Sequence, residues 1–294
     1  LFVNWADFPT VAAFNDGTLA VSWLQENTNI PYAYDINIAL SSDAGQTWGS
    51  PIVPHDDQST RQHGFLTLLP TERDEMIAVW LDAREYNSQS PGDSFGNAVQ
   101  LRSTTIGKDG TLGKDIPLDL RACSCCQTSA AITEDGTVLI AYRDRTADEI
   151  RDISIVRRHI GVWSGPVNVH ADGWEISGCP VNGPAIDAQA TDAVVAWFTG
   201  ADNIATIKVA FSEDSGVTFG PAFQVDSGES VGRVGTLMLA TGDALISWVE
   251  WTSDGEVLML CRATKNDGCV ARQTITEHAA AGSFNFPKLA RSGD

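Results

Sequence analysis

Three thiols crowd into four residues at Cys123-Ser124-Cys125-Cys126, and a fourth, Cys179, stands in a later loop. A bridge between adjacent cysteines is strained, so the three cannot all pair comfortably among themselves. Two readings stay open. Pairing Cys125 or Cys126 with Cys179 would give two disulfides. Alternatively the thiolates, with His63, His55 or His170 nearby, form a soft sulfur–nitrogen pocket suited to copper or zinc. The spacing matches no standard zinc finger. Cys261 and Cys269 flank a hairpin and read as a separate staple, which places the protein outside the cytoplasm, secreted or periplasmic.

Other chemistry-bearing residues sit side by side where apolar runs end, as in Trp80-Leu-Asp82-Ala-Arg84 and Tyr142-Arg143-Asp144-Arg145. What positions them is a repeated strand grammar: an apolar strand, a turn, a second strand ending in an aromatic, then two more strands. The ending aromatics are Trp23, Trp80, Tyr142, Trp197 and Trp248, at intervals of roughly 50 to 60 residues, the period of four-stranded propeller blades. Turns such as Asn15-Asp16-Gly17 and Glu134-Asp135-Gly136 favour antiparallel hairpins. No stretch reads as an amphipathic helix.

Five such units fill most of the chain, and Ser283-Phe-Asn-Phe-Pro287-Lys-Leu-Ala290 reads as the opening strand of a sixth. The expectation is one all-β domain over residues 1–294, a six-bladed propeller with five complete blades. The last blade is truncated here, to be completed by a partner chain or a further segment, since an unclosed ring leaves a bare sheet edge.

Strand order sorts the loops onto two faces. The blade-linking loops carry Asp7, His55, His63, Cys123, Cys125, Cys126, His170, Cys179, Asn182 and Arg233; the loops after second strands carry Asp82, Arg84, Arg143, Asp144 and Glu250. Any one of these alone reads as a loop salt bridge. Their convergence on one channel mouth would make a functional site.

The 294 residues carry 19 Lys and Arg against 38 Asp and Glu, a net charge of −19. So acidic a surface repels phosphate backbones and anionic lipid, which argues against nucleic-acid partners. No apolar run approaches the length of a membrane span, so membrane insertion is not expected.

Two segments share the pattern S-x-D-x-G-x-T followed by an aromatic: Ser41 to Trp48 and Ser212 to Phe219. The Asp folds back onto the turn's own N–H groups, and the Gly supplies a positive φ. This pattern resembles the Asp-box of sialidase-like β-propellers. With Phe2 to Pro9, Tyr34-Asp35, Cys123-x-Cys125-Cys126-Gln127, Glu149 to Asp152, His170 to Trp174 and Gly178 to Pro184, the whole chain resembles secreted bacterial Asp-box proteins commonly labelled exo-α-sialidase. The resemblance implies a glycan-directed site, exo-glycosidase or lectin-like, on the blade-linking face. Sialidases grip the carboxylate of a terminal acidic sugar with three arginines, whose planar forks suit it; here Arg84, Arg143 and Arg233 would fill that role. Asp7, Asp82, Asp144 or Glu250 would supply acid–base carboxylates. The family's nucleophilic Tyr is expected late in the chain, whereas the tyrosines here are Tyr32, Tyr34, Tyr86 and Tyr142. The competing functions are the copper or zinc protein of the cysteine cluster and a non-catalytic protein-binding scaffold.

Overall fold

The computed structural model describes residues 1, 3–26, 33–86, 98–279 and 284–292. Phe2, Tyr32 and Ser283, each singled out above, lie outside the described residues. Contacts group the chain into two compact units, Leu1–Thr128 with Arg145–Ala147, and Ser129–Asp144 with Asp148–Asp294.

Among the described residues the first unit holds two antiparallel sheets. One is β1 (Val11–Ala13), β2 (Leu19–Glu26) and β3 (Tyr34–Ser41) in that order. Where a fourth strand is expected, only Ile52 bridges Ile38; Pro51 and Pro54 remove the N–H groups a longer ladder needs. The other is β4 (His63–Pro70), β5 (Glu75–Asp82), β6 (Val99–Gly107) and β7 (Ile116–Ala122), again in chain order. β2 alternates half-buried and buried residues, the period of a strand with one covered face. β5 is buried along nearly its whole length, which is why Met76 to Leu81 is a continuous apolar run. Phe14, just after β1, and Ile36 and Ile38 of β3 pack with Leu66, Met76 and Trp80 of the second sheet in one cluster.

The second unit holds three sheets. β8 (Ser129–Ile132), β9 (Val138–Arg143) and β10 (Ile153–His159) are followed by a divided outer strand, β11 (Val162–Trp163) and β12 (Val167–His170), both paired with β10. The next sheet is β13 (Ala185–Gln189), β14 (Asp192–Thr199), β15 (Thr206–Ser212) and β16 (Phe223–Gln224); the last is β17 (Ser230–Met238), β18 (Ala244–Thr252), β19 (Gly255–Thr264) and β20 (Gly268–His278). Trp197 and Trp248 are fully buried in two separate clusters. Residues 284–292, where the opening strand of a sixth blade is expected, form no strand with the described residues. That segment is held by side-chain bonds, Arg291 Nη2 donating to the Met238 carbonyl at 2.6 Å.

The two S-x-D-x-G-x-T turns have matching bonds. Asp43 Oδ1 accepts from Ser41 Oγ (2.8 Å) and Thr47 N (2.8 Å), and Asp43 Oδ2 from Thr47 Oγ1 (2.6 Å). Asp214 does the same with Ser212 Oγ, Thr218 N and Thr218 Oγ1 at 2.8, 2.9 and 2.6 Å. Gly45 and Gly216 hold φ of 84° and 74°, the conformation the turn requires.

Candidate functional site

The densest polar cluster of the first unit forms where β4 begins and β5 ends. His63 and Asp82 are cross-strand partners, so their side chains lie together on one face. A parallel bridge between Tyr34 and Gln62 draws the start of β3 alongside and delivers Asp35. His55 and Asp57 come from the segment linking β3 to β4.

The rings of His55 and His63 stack with centroids 3.6 Å apart and planes within 2°. One oxygen, Asp57 Oδ1, serves both rings, 3.2 Å from His55 Nδ1 and 3.0 Å from His63 Nε2. Across the stack, Asp35 Oδ1 lies 3.5 Å from His55 Nε2 and 3.5 Å from His63 Nδ1. These last two nitrogens are buried and have no hydrogen-bond partner.

Arg84 closes the cluster. Its Nε and Nη2 donate to Asp82 Oδ1 (2.9 Å) and Oδ2 (2.8 Å), Nη2 to Asp115 Oδ2 (2.6 Å), and Nη1 to Asp56 Oδ1 (3.0 Å). Arg102 Nε donates to Asp115 Oδ1 at 2.7 Å. Burial alone would depress His63, but its bond to Asp57 and the charges of Asp82, Asp57 and Asp35 outweigh that and raise it above an ordinary histidine. Burial and the neighbouring His63 charge push His55 down. Burial opposes the charge on Asp57 and Asp82, yet the bonds from His63 to Asp57 and from Arg84 to Asp82 hold both below the usual carboxylate range. Five carboxylates, Asp35, Asp56, Asp57, Asp82 and Asp115, thus gather around two guanidiniums and the stacked imidazoles, so acidic groups outnumber guanidiniums.

Asp7 stands on a separate feature. β4 bulges after Gly64, with Phe65 at φ 55°, and a Cβ on Gly64 would collide with Asp7 Oδ2. The second unit repeats the device. β17 bulges at Gly232, followed by Arg233 at φ 56°, and a Cβ there would collide with Asn182 Oδ1. Arg233 N donates to Asn182 Oδ1 at 2.9 Å, as the Phe65 backbone does to Asp7. Asp7 and Asn182 thus fill equivalent positions, one ionisable and one neutral. Burial raises Asp7 to about 7 despite the Phe65 bond, and its Oδ2 has no partner.

The remaining candidates of the second unit are bound to their own chain. Arg143 is 1% exposed and donates to the carbonyls of Asn182 (2.9 Å), Arg151 (2.6 Å) and Phe198 (2.6 Å). Arg233 Nη1 donates to the Phe284 carbonyl and lies 3.6 Å from Glu256. Glu250 Oε1 accepts from the Trp248 indole at 2.8 Å, as Asp82 does from Trp80 at 2.8 Å. Asp144 Oδ2 accepts from Ser154 at 3.0 Å. His170 lies 3.7 Å from Asp172, which also binds Lys208 at 2.5 Å and the Trp197 indole at 2.6 Å.

Cys123 is bonded to Cys126 and Cys261 to Cys269, and no cysteine among the described residues is free. Cys125 and Cys179 are likewise disulfide-bonded. The thiols thus follow the disulfide reading; of the two partners offered for Cys179, Cys126 is taken by Cys123. In this oxidised state the thiolate pocket of Cys123, Cys125, Cys126 and Cys179 with His63 or His170 has no thiolate to offer. Asp35 and Asp57 are not among the candidate site residues read from the sequence, although Tyr34-Asp35 is one of the segments that carry the resemblance.

No protein-family model matches the chain, and no curated protein matches it either. Solved structures do. A lectin from Burkholderia pseudomallei has a TM-score of 0.61 at 13% identity, over 92% of this chain and 70% of that one. A Hadza microbial sialidase has a TM-score of 0.57 at 15% identity, over 93% of this chain and 59% of its own. The α-L-arabinofuranosidase of Fusarium graminearum has a TM-score of 0.53 at 12% identity, over 92% of each chain. The fold is that of the sialidase-like β-propellers. This propeller spans well under two thirds of the sialidase's length, and at such identities the likeness is one of fold.

Proposed function

We propose that this propeller is a glycan-directed protein acting outside the cytoplasm, which recognises uncharged sugars in a lectin-like way and does not cleave a terminal acidic one. The observation that carries this reading is the state of the three candidate arginines. Arg84 is bound to Asp56, Asp82 and Asp115, Arg143 to three backbone carbonyls, and Arg233 to Phe284 and Glu256. A guanidinium grips a ligand carboxylate through N–H pairs left open to it, and these side chains bond groups of their own chain instead. Asp82 and Glu250 are likewise tied to indoles, which suits structural carboxylates better than a migrating proton. The likeness to a lectin and to glycosidases supports sugar as the ligand class, and the disulfides suit an oxidising compartment.

The test is hydrolysis of a fluorogenic sialoside beside a panel of neutral aryl glycosides, using the intact chain. The reading expects no turnover of the sialoside above buffer. Turnover that disappears in Arg143→Lys and Asp7→Asn would overturn it in favour of a sialidase.

A further inference from the structure

We propose that Asp35, His55 and His63 bind one divalent transition-metal ion, with Asp57 as the shared support of both histidines. This inference does not depend on the glycan reading. It begins with four ring nitrogens and two carboxylate oxygens. Asp57 Oδ1 takes the N–H of His55 Nδ1 and of His63 Nε2, so in the neutral rings it is the other nitrogens that carry the lone pairs. Those nitrogens, His55 Nε2 and His63 Nδ1, face the same atom, Asp35 Oδ1, at 3.5 Å each. Two lone pairs and a carboxylate oxygen aimed at one point repel one another unless a cation joins them.

A metal satisfies that arrangement better than a proton. A proton bonds one nitrogen at a time and leaves the other buried nitrogen bare, whereas a metal takes both lone pairs with the carboxylate. Two imidazoles and one carboxylate are the donor set of zinc and of copper(II), nickel and cobalt, and a poor set for calcium or magnesium. A carboxylate behind each ligating histidine is the usual outer support of such sites, and here one carboxylate supports two. Arg84, 3.5 Å from Asp57 and bonded to Asp82, holds that support in place. The acidic groups, which outnumber the guanidiniums, attract a cation, and Asp35, with its side chain 24% exposed, gives the ion a route from solvent and an open position for water or a ligand oxygen. Bringing both nitrogens to about 2.0–2.1 Å from one ion tilts the rings out of parallel, about the edge Asp57 holds.

The experiment uses intact protein stripped with chelator, then titrated with zinc and with copper(II) by calorimetry, with elemental analysis after gel filtration. One ion per chain is expected, and the copper(II) resonance spectrum should show hyperfine structure from two nitrogens. His55→Ala and Asp35→Asn should weaken binding by more than about 100-fold, and Asp57→Asn by about 10- to 100-fold; the circular dichroism of each should match the parent. His63→Ala removes a fully buried ring; if it fails to fold, His55→Ala and Asp35→Asn carry the test. Cys123→Ser with Cys126→Ser should leave the stoichiometry unchanged. No binding by the parent, or binding that survives His55→Ala and Asp35→Asn alike, would overturn the proposal.

Discussion

His55 and His63 lie ring on ring, 3.6 Å apart, and share a single carboxylate oxygen of Asp57. Stacking two imidazoles brings two basic groups within reach of each other, so one charges at the other's expense. The surroundings move the two apart: His63, bonded to Asp57 and beside Asp82 and Asp35, is raised above an ordinary histidine, while burial and the neighbouring ring lower His55. Arg84 then holds the carboxylates together.

Arg84 should therefore be worth more to stability than an ordinary surface ion pair. Arg84→Met leaves Asp82 buried without its guanidinium and Asp115 with Arg102 alone, and its expected cost is about 3–5 kcal/mol. Arg84→Lys keeps the charge but loses the fork that spans both Asp82 oxygens, and should fall between. Urea denaturation of both variants checks this, and changes within about 0.5 kcal/mol for both would contradict it.

Asp7 predicts a pH dependence. Its carboxyl is raised from an ordinary 3.8 to about 7, so between about pH 4 and 7 the folded chain keeps a proton that the unfolded chain has lost. Stability from this group is complete below about pH 4, declines as pH rises to about 7, and is level above that. At about 1.4 kcal/mol per pKa unit the decline reaches up to about 4 kcal/mol. Asp7→Asn removes it: the variant should equal the parent near pH 4 and exceed it in stability at pH 8.5. Parallel stability–pH curves for the two proteins would refute the assignment.

The equivalence of Asp7 and Asn182 yields the converse test. Asn182→Asp places a buried carboxyl against the bulge at Gly232, so stability should acquire the same fall with rising pH. Gly232→Ala, at φ 100° and against Asn182, should cost about 1–3 kcal/mol at every pH. Thermal unfolding at pH 5 and pH 8 separates the two effects.

Much of the fold was legible because period-2 runs and Asp-Gly turns are local signals. The strand from Ala193 to Phe198 and its partners appear where the apolar runs stand. What escaped has local causes too. β11 is two residues of an outer strand broken around Ser164, too short to leave a pattern. Pro51 and Pro54 cut the fourth strand of the first sheet to one bridge, and the segment around Pro287 is tied by Arg291 instead of a ladder. The site was less legible. Residue types at strand ends marked Asp82, Arg84 and His63, but their partner Asp35 arrives through a parallel bridge between Tyr34 and Gln62, distant in sequence. Nor does a sequence reveal that Arg143 spends its donors on carbonyls of Asn182, Arg151 and Phe198. Those bonds depend on where two loops and the far end of β14 come together.

A glycan array probed with the intact protein bears most directly on what this propeller does. Guanidiniums engaged by their own chain at Arg84, Arg143 and Arg233 predict retention on neutral oligosaccharides and none on glycans ending in sialic acid. Selective capture of the sialylated glycans, abolished by Arg143→Lys or Arg233→Lys, would contradict the account.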